Sequence, residues 1–170
     1  MKLKSVLLAI TLFVLSALAV AQNFTNNYFS ATFVGTVTNS EKRNDTNTST
    51  NYYFDARNTN VLQDVDIRLV DHNIPYGITS TDFYANNDFN LRAKTNPGAT
   101  VSDRGTGTYQ GHPFTYQVIR YSEGGYNYTE RNRYIYIGAR EVYFVTQTSL
   151  ASYDDNAEWV ALVSQMNIVR

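Results

Sequence analysis

The stretch from Tyr134 to Arg170, YIYIGAREVYFVTQTSLASYDDNAEWVALVSQMNIVR, limits what this chain can fold into more than any other part of it. Tyr134 to Ile137 and Glu141 to Thr148 are dense in Tyr, Ile, Val, Phe and Thr, and Gly138-Ala139-Arg140 between them suits a tight hairpin. After Ser149 the period changes. Trp159, Leu162, Val163 and Met166 fall at i, i+3, i+4 and i+7, which puts four apolar side chains on one helical face. Such a face must cover a sheet. Ser152 is the expected N-cap, and Asp154, Asp155 and Glu158 place negative charge at the positive end of the helix dipole. A short strand, Asn167 to Val169, follows the helix. The chain is therefore expected to be a β-rich α+β domain.

At the other end, Lys2 and Lys4 precede an apolar run from Val6 to Leu18, and Ala19-Val20-Ala21 offers small residues for cleavage. This is the pattern of a signal peptide over 1–21; the run is short for a membrane span of roughly 20 residues, so no stable membrane insertion is expected after cleavage. The remaining 22–170 suffice for a single domain. Loss of Lys2 and Lys4 takes Lys+Arg from 14 to 12 against 15 Asp+Glu, leaving no basic excess to hold a nucleic acid. The chain has no cysteine, so no disulfide or lipidated cysteine supports it. Absence of disulfides in an exported chain fits a bacterial protein, secreted or periplasmic.

Between these ends the strands are read from alternation. In Tyr28 to Phe33, an edge strand by this reading, Phe29, Ala31 and Phe33 share one face; Gln22 to Asn27 before it is a polar leader. Thr38 to Asn51 is rich in Asn, Thr and Ser and reads as an exposed loop. Tyr52 to Arg57 and Val61 to Val70 are strands. In the second, Val65, Ile67 and Leu69 oppose Asp64, Asp66 and Arg68. Asp71 to Gly77 forms a turn, and Thr79 to Phe89 a short helix capped by Ser80 or Thr81, with Phe83, Tyr84 and Phe89 packed inward. Leu91 to Gly107 reads as irregular apart from a strand near Thr100 to Ser102, and Gly111-His112-Pro113 as a turn. Phe114 to Tyr121, Tyr126 to Ile137 and the strand from Glu141 then form a meander, its first turn at Gly124-Gly125.

Reactive side chains are few. His72 and His112 are the two histidines, no serine sits in a G-x-S-x-G setting, and no His or Cys spacing suits a metal. Asp154-Asp155 belongs to a helix start and Asp64/Asp66 to the outer face of a strand, so neither pair demands glycoside chemistry. No glycine-rich phosphate loop is present. The chain is expected to be non-enzymatic, without cofactor or metal.

Tyrosine stands out instead. Tyr126, Tyr128, Tyr134 and Tyr136 share parity along one strand, whereas Arg131 and Arg133 share the opposite parity. Such a row can bind a partner surface or carbohydrate, because Tyr joins apolar area to a hydroxyl, but it is also ordinary strand composition. The binding candidates are Tyr126, Tyr128, Arg131, Arg133, Asp71 and His72, the last two reading also as a polar strand end.

Arg133-Tyr134-Ile135-Tyr136-Ile137, Glu141 to Thr146, the polar Ser152 to Asp155, Glu158-Trp159 to Met166 and Asn167-Ile168-Val169 occur in an order that resembles the end of the PsbP/Mog1-like family, including DcrB-type exported bacterial proteins. The resemblance covers the C-terminal third and, more loosely, the YFSATF strand. It implies an α/β/α sandwich with a central, mostly antiparallel sheet and the C-terminal helix packed on one face. It also implies a non-enzymatic scaffold acting through a protein-protein surface, with an unidentified partner in the cell envelope; no site residue carries over. The alternative is a small-ligand or carbohydrate-binding module using the tyrosine-rich face.

Overall fold

A computed structural model describes residues 21–169 apart from 35, 46–48, 58–59, 71–81 and 138–140; at 21, 34–57 and 69–70 it describes backbone pairing alone. The strands are β1 (Ala21–Thr25), β2 (Phe29–Val34), β3 (Thr36–Asp45), β4 (Ser49–Arg57), β5 (Val61–Val70), β6 (Thr100–Tyr109), β7 (His112–Glu123), β8 (Tyr126–Ile137), β9 (Glu141–Leu150) and β10 (Asn167–Ile168). The helices are α1 (Asp82–Thr95) and α2 (Asn156–Gln165). Seven strands form one antiparallel sheet in the order β3-β4-β5-β9-β8-β7-β6, and β1-β2-β10 form a second.

The α+β class and the layered arrangement hold, with one refinement. Helix α1 covers one face of the large sheet through Tyr84 and Ala85 against Tyr134, Val142, Tyr136 and Phe144. The other face is covered jointly by α2 and the small sheet. Leu162, Val163 and Met166 pack with Phe29, Ala31 and Phe33 of β2 onto Val65, Ile67, Ile135, Tyr143 and Val145. The β2, β5 and α2 residues lie on the faces that alternation and helical spacing assigned to them, and Trp159 packs half-buried at the edge of that core.

Several expectations are corrected. Gln22 to Asn27 is no leader: most of it is β1, which pairs with β2 from Ala21↔Val34 to Thr25↔Ser30, so β2 is the middle strand of its sheet and not an edge. The polar tract Thr38 to Asn51 lies mostly in β3 and the start of β4. An outermost strand needs only its backbone ladder on one side, and two register shifts, between Val37 and Asn39 and between Asn39 and Lys42, mark β3 as an irregular edge. The first helix starts at Asp82 and runs past Phe89 to Thr95, because Leu91, Arg92, Ala93 and Lys94 are good helix formers and Pro97 stops it. Phe83 points outward, 42% exposed, Phe89 is half-buried, and the expected caps Ser80 and Thr81 lie outside the described residues.

Leu91 to Gly107 is accordingly the end of α1 followed by β6. The turn before β7 is Gln110-Gly111, with φ of 51° and 81°, so His112 and Pro113 already belong to the strand. Gly124-Gly125, with φ of 58° and 84°, is the expected hairpin turn between β7 and β8. Helix α2 starts at Asn156 and not after Ser152, which is exposed. The residue before it, Asp155, makes no capping bond with its side chain, having been drawn into the sheet. The residues Gly138-Ala139-Arg140 and Asp71 to Gly77 lie outside the described residues, although β8 and β9 pair antiparallel up to Ile137↔Glu141.

Candidate functional site

On the α1 side of the large sheet the helix leaves part of the sheet open, and the space beside it forms a groove of about 660 Å³. The floor comes from three adjacent strands. Alternation along β5 turns Asp64 and Asp66 to this face, and the register sets Asp64 opposite Thr146 of β9 and Thr146 opposite Asn132 of β8. Glu130 and Thr148 complete the next row. Asp88, Leu91, Arg92 and Thr95 of α1 form one wall, and Tyr121 of β7 closes the end.

The floor is a connected polar network. Thr146 Oγ1 donates to Asn132 Oδ1 at 2.9 Å, Asn132 Nδ2 donates to Glu130 Oε1 at 2.9 Å, and Arg92 donates to the other Glu130 oxygen. The Arg92 guanidinium also lies 4.3 Å from the centre of the Tyr121 ring, a cation–π contact that holds it at the rim. The helix is pinned at several points along its length. Arg104 of β6 pairs with Asp82 at 3.0 Å and donates to Asn86 at 2.7 Å, Gln117 donates to the Ala85 carbonyl at 3.0 Å and Asn96 to the Ser122 carbonyl at 3.3 Å.

Burial pushes the Asp88 carboxyl above its ordinary value; a hydrogen bond from Tyr134 offsets part of this, and Glu130 adds to it. Burial also raises the hydroxyls of Tyr134 and Tyr136, which stay protonated. The sign for Asp88 follows: its raised value costs stability above the folded pKa, and that cost fades as pH falls toward the ordinary carboxylate value. Asp88→Asn, which keeps an acceptor for Tyr134, is expected to raise Tm at pH 7 by a few °C and to remove this part of the pH dependence, read by thermal unfolding at pH 5 and pH 7.

The candidates named from sequence do not converge. Tyr126 stands 61% exposed beside the Gly124-Gly125 turn, and Tyr128 stacks on Tyr121 with ring centres 5.3 Å apart. Tyr134 and Tyr136 from the same row are absorbed into the packing under α1. Arg131 and Arg133 face the opposite layer. Arg131 donates through Nε and Nη2 to Asp155, at 3.1 and 2.8 Å to Oδ1. Gln147 and Ser149 donate to the same carboxylate at 3.0 and 2.9 Å. Burial would raise the Asp155 carboxyl, but these bonds win and hold it below the usual carboxylate range. Arg133 lies among rings, 4.5 Å from the centre of Phe114 and 5.9 Å from those of Tyr109 and Trp159. Asp71 and His72 lie outside the described residues, and His112 sits at the β6–β7 turn opposite Tyr109. Among the described residues no three of His, Asp and Glu are grouped to hold a metal ion.

What sequence reasoning missed was the carboxylate floor. Asp64 and Asp66 read as an outer face, whereas both are half-buried under the groove. Parity alone could have placed Glu130 with Asn132, and Asp64 with Asp66, but only register brings the two pairs onto one floor.

Neither any protein-family model nor any curated protein sequence matches the chain. Solved structures do. The solution structure of cyanobacterial PsbP from Synechocystis sp. PCC 6803 is 8% identical, aligned over 89% of this chain and 94% of that one with a TM-score of 0.56. LpqN, involved in cell envelope biogenesis of Mycobacterium tuberculosis, is 12% identical over 70% of this chain and 72% of its own, with a TM-score of 0.44. A Pseudomonas aeruginosa protein of unknown function is 13% identical over 78% of this chain and 84% of its own, with a TM-score of 0.43. The likeness to cyanobacterial PsbP extends over nearly the whole of both chains, and the fold is the PsbP-like one.

Proposed function

We propose that this chain, built on the PsbP-like fold, is an exported, non-enzymatic binding or accessory domain that engages a protein partner in the cell envelope through the groove beside α1. One observation carries the reading: a groove within the size range of ligand sites, roughly 300–1,000 Å³, is lined by charged, hydroxyl and apolar side chains beside a pinned helix. The lining mixes carboxylates, Thr hydroxyls and an amide with Leu62, Leu91 and Tyr121, which suits the mixed polar and apolar surface of a polypeptide segment. Export is supported by the Lys2/Lys4, apolar and Ala19-Val20-Ala21 pattern. Among the described residues no helix is long and apolar enough to cross a membrane.

A photo-crosslinking amino acid at Leu91, on the groove wall and 53% exposed, tests this in the cells that make the protein. The expected result is an adduct of one defined size, lost when Thr148→Trp fills the groove and retained when the same bulk is introduced at exposed Val169. A folded protein that gives no adduct, or one indifferent to Thr148→Trp, overturns the reading. The stacked Tyr121–Tyr128 pair at the groove end favours a second reading, a carbohydrate ligand. A rise in Tm with oligosaccharides that disappears in Tyr121→Ala would select it.

A further inference from the structure

On the opposite face of the large sheet, Arg133 has no counter-charge among the described residues. Among the described residues, Arg131 is paired with Asp155, Arg92 with Glu130 and Arg104 with Asp82, and no carboxylate reaches Arg133. Its Nε is buried without a hydrogen-bond partner. A buried guanidinium N–H lacking an acceptor is costly, and the three surrounding rings supply attraction but no acceptor for it.

The surroundings are built to keep it so. Phe114 lies over Gly107 of β6 so closely that a Cβ there would come within 2.6 Å of the ring, and Tyr116, directly opposite Arg133, lies as closely over Gly105. The Tyr109 hydroxyl is tied to the Met166 carbonyl. Ring positions fixed by strands and by a hydrogen bond make a frame that does not collapse onto the charge. The frame is also not sealed. Arg133 as a whole keeps part of its surface although Nε is covered, so approach is to the terminal nitrogens.

We propose that Arg133, framed by Phe114, Tyr109 and Trp159, is a binding site for a monocarboxylate attached to an apolar body, the carboxylate taking the terminal guanidinium nitrogens and the body lying against the rings. A carboxylate matches the planar donor edge and carries the single charge that one arginine can neutralise. A phosphate dianion would leave a second charge stripped of water beside aromatic rings. Free carboxylic acids and the C-terminus of an apolar peptide share this chemistry. The site is separate from the groove beside α1, so either can fail without the other.

Trp159 is the sole tryptophan of the chain and stands in the frame, so its fluorescence reports occupancy directly. The purified protein is titrated with octanoate, with octanol, with acetate, and with an acetylated Leu-Phe dipeptide as free acid and as amide. The expected result is a saturable change with octanoate or the peptide acid, at least tenfold tighter than with octanol, acetate or the amide. The arm that binds identifies the source. Arg133→Met should abolish the response while Tm does not fall, since a charge without a partner is replaced by an apolar chain of similar length. Arg133→Lys, which keeps the charge and loses the fork, should weaken binding about tenfold and serves if the Met variant fails to fold. No saturable change with either acid, equal affinity for octanol, or a response that survives these substitutions overturns the proposal.

Discussion

Asp155→Ala is expected to lower stability by about 3–5 kcal/mol, the range for breaking a buried ion pair from one side. For a domain of this size that is a fall in Tm of roughly 6–20 °C. The Asp155 side chain is 3% exposed and accepts from Arg131, Gln147 and Ser149, and its own carbonyl accepts from Gln147 at 2.8 Å. Removing it takes the carboxylate acceptor from the partly buried Arg131 guanidinium, from Ser149 and from one Gln147 N–H, and frees the start of α2. The pH dependence has a definite sign. A carboxyl held below its usual range contributes stability that is present above the ordinary carboxylate value and is lost as pH falls through the depressed one. The gap between the native protein and Asp155→Asn should therefore be full at neutral pH and narrow in strong acid. Urea unfolding at pH 7 and pH 3 reads it. An equal gap at both values would mean that the carboxylate charge is not what holds the helix.

Phe29→Ala is expected to cost a similar amount, about 3–5 kcal/mol, as buried Phe→Ala changes do. Phe29 is fully buried in β2, and its ring lies 5.8 Å from Phe24, 6.4 Å from Phe33 and 6.4 Å from Tyr143 of the large sheet. It therefore joins the two sheets as well as filling space. Thermal unfolding followed together by near-ultraviolet and far-ultraviolet dichroism should show one lowered transition in both. A loss below about 1 kcal/mol would mean that the small sheet is not part of the cooperative core.

Legibility in the sequence followed burial. β5, β7, β8 and β9 have one face in a core, so Val65 and Ile67, or Tyr143 and Val145, recur with period two and announce themselves. The face of α2 was legible for the same reason at period 3.6. β3 and β6 are the two outer strands of the large sheet, and the second carries Gly105 and Gly107 where the first carries Asn, Ser and Lys. A strand of this kind takes its place from a neighbour's backbone, and β6 also from rings that lie over its glycines, so its own composition suggests a loop. Asp155 misled for a different reason. Its place before a helix suggests a dipole or cap role, but three donors from β8 and β9 outbid the helix for its carboxylate. The groove needed more still, since Asp64, Thr146 and Asn132 are neighbours by register alone, and Asp88 reaches them only because Arg104 and Gln117 fix where α1 crosses.

The small sheet has a consequence for the order of assembly. β2 is met early in the chain and β10 at its far end, yet Phe29 pairs with Ile168 and the Val169 amide donates to the Tyr28 carbonyl at 2.9 Å. The Ile168 amide is claimed in turn by the Gln110 side chain at 3.0 Å. A chain emerging from its first residue onward thus exposes the apolar face of β2 long before the segment that flanks and covers it exists. Closing so long a loop costs entropy and delays folding. The interior therefore stays open until β9, α2 and β10 have followed the earlier strands.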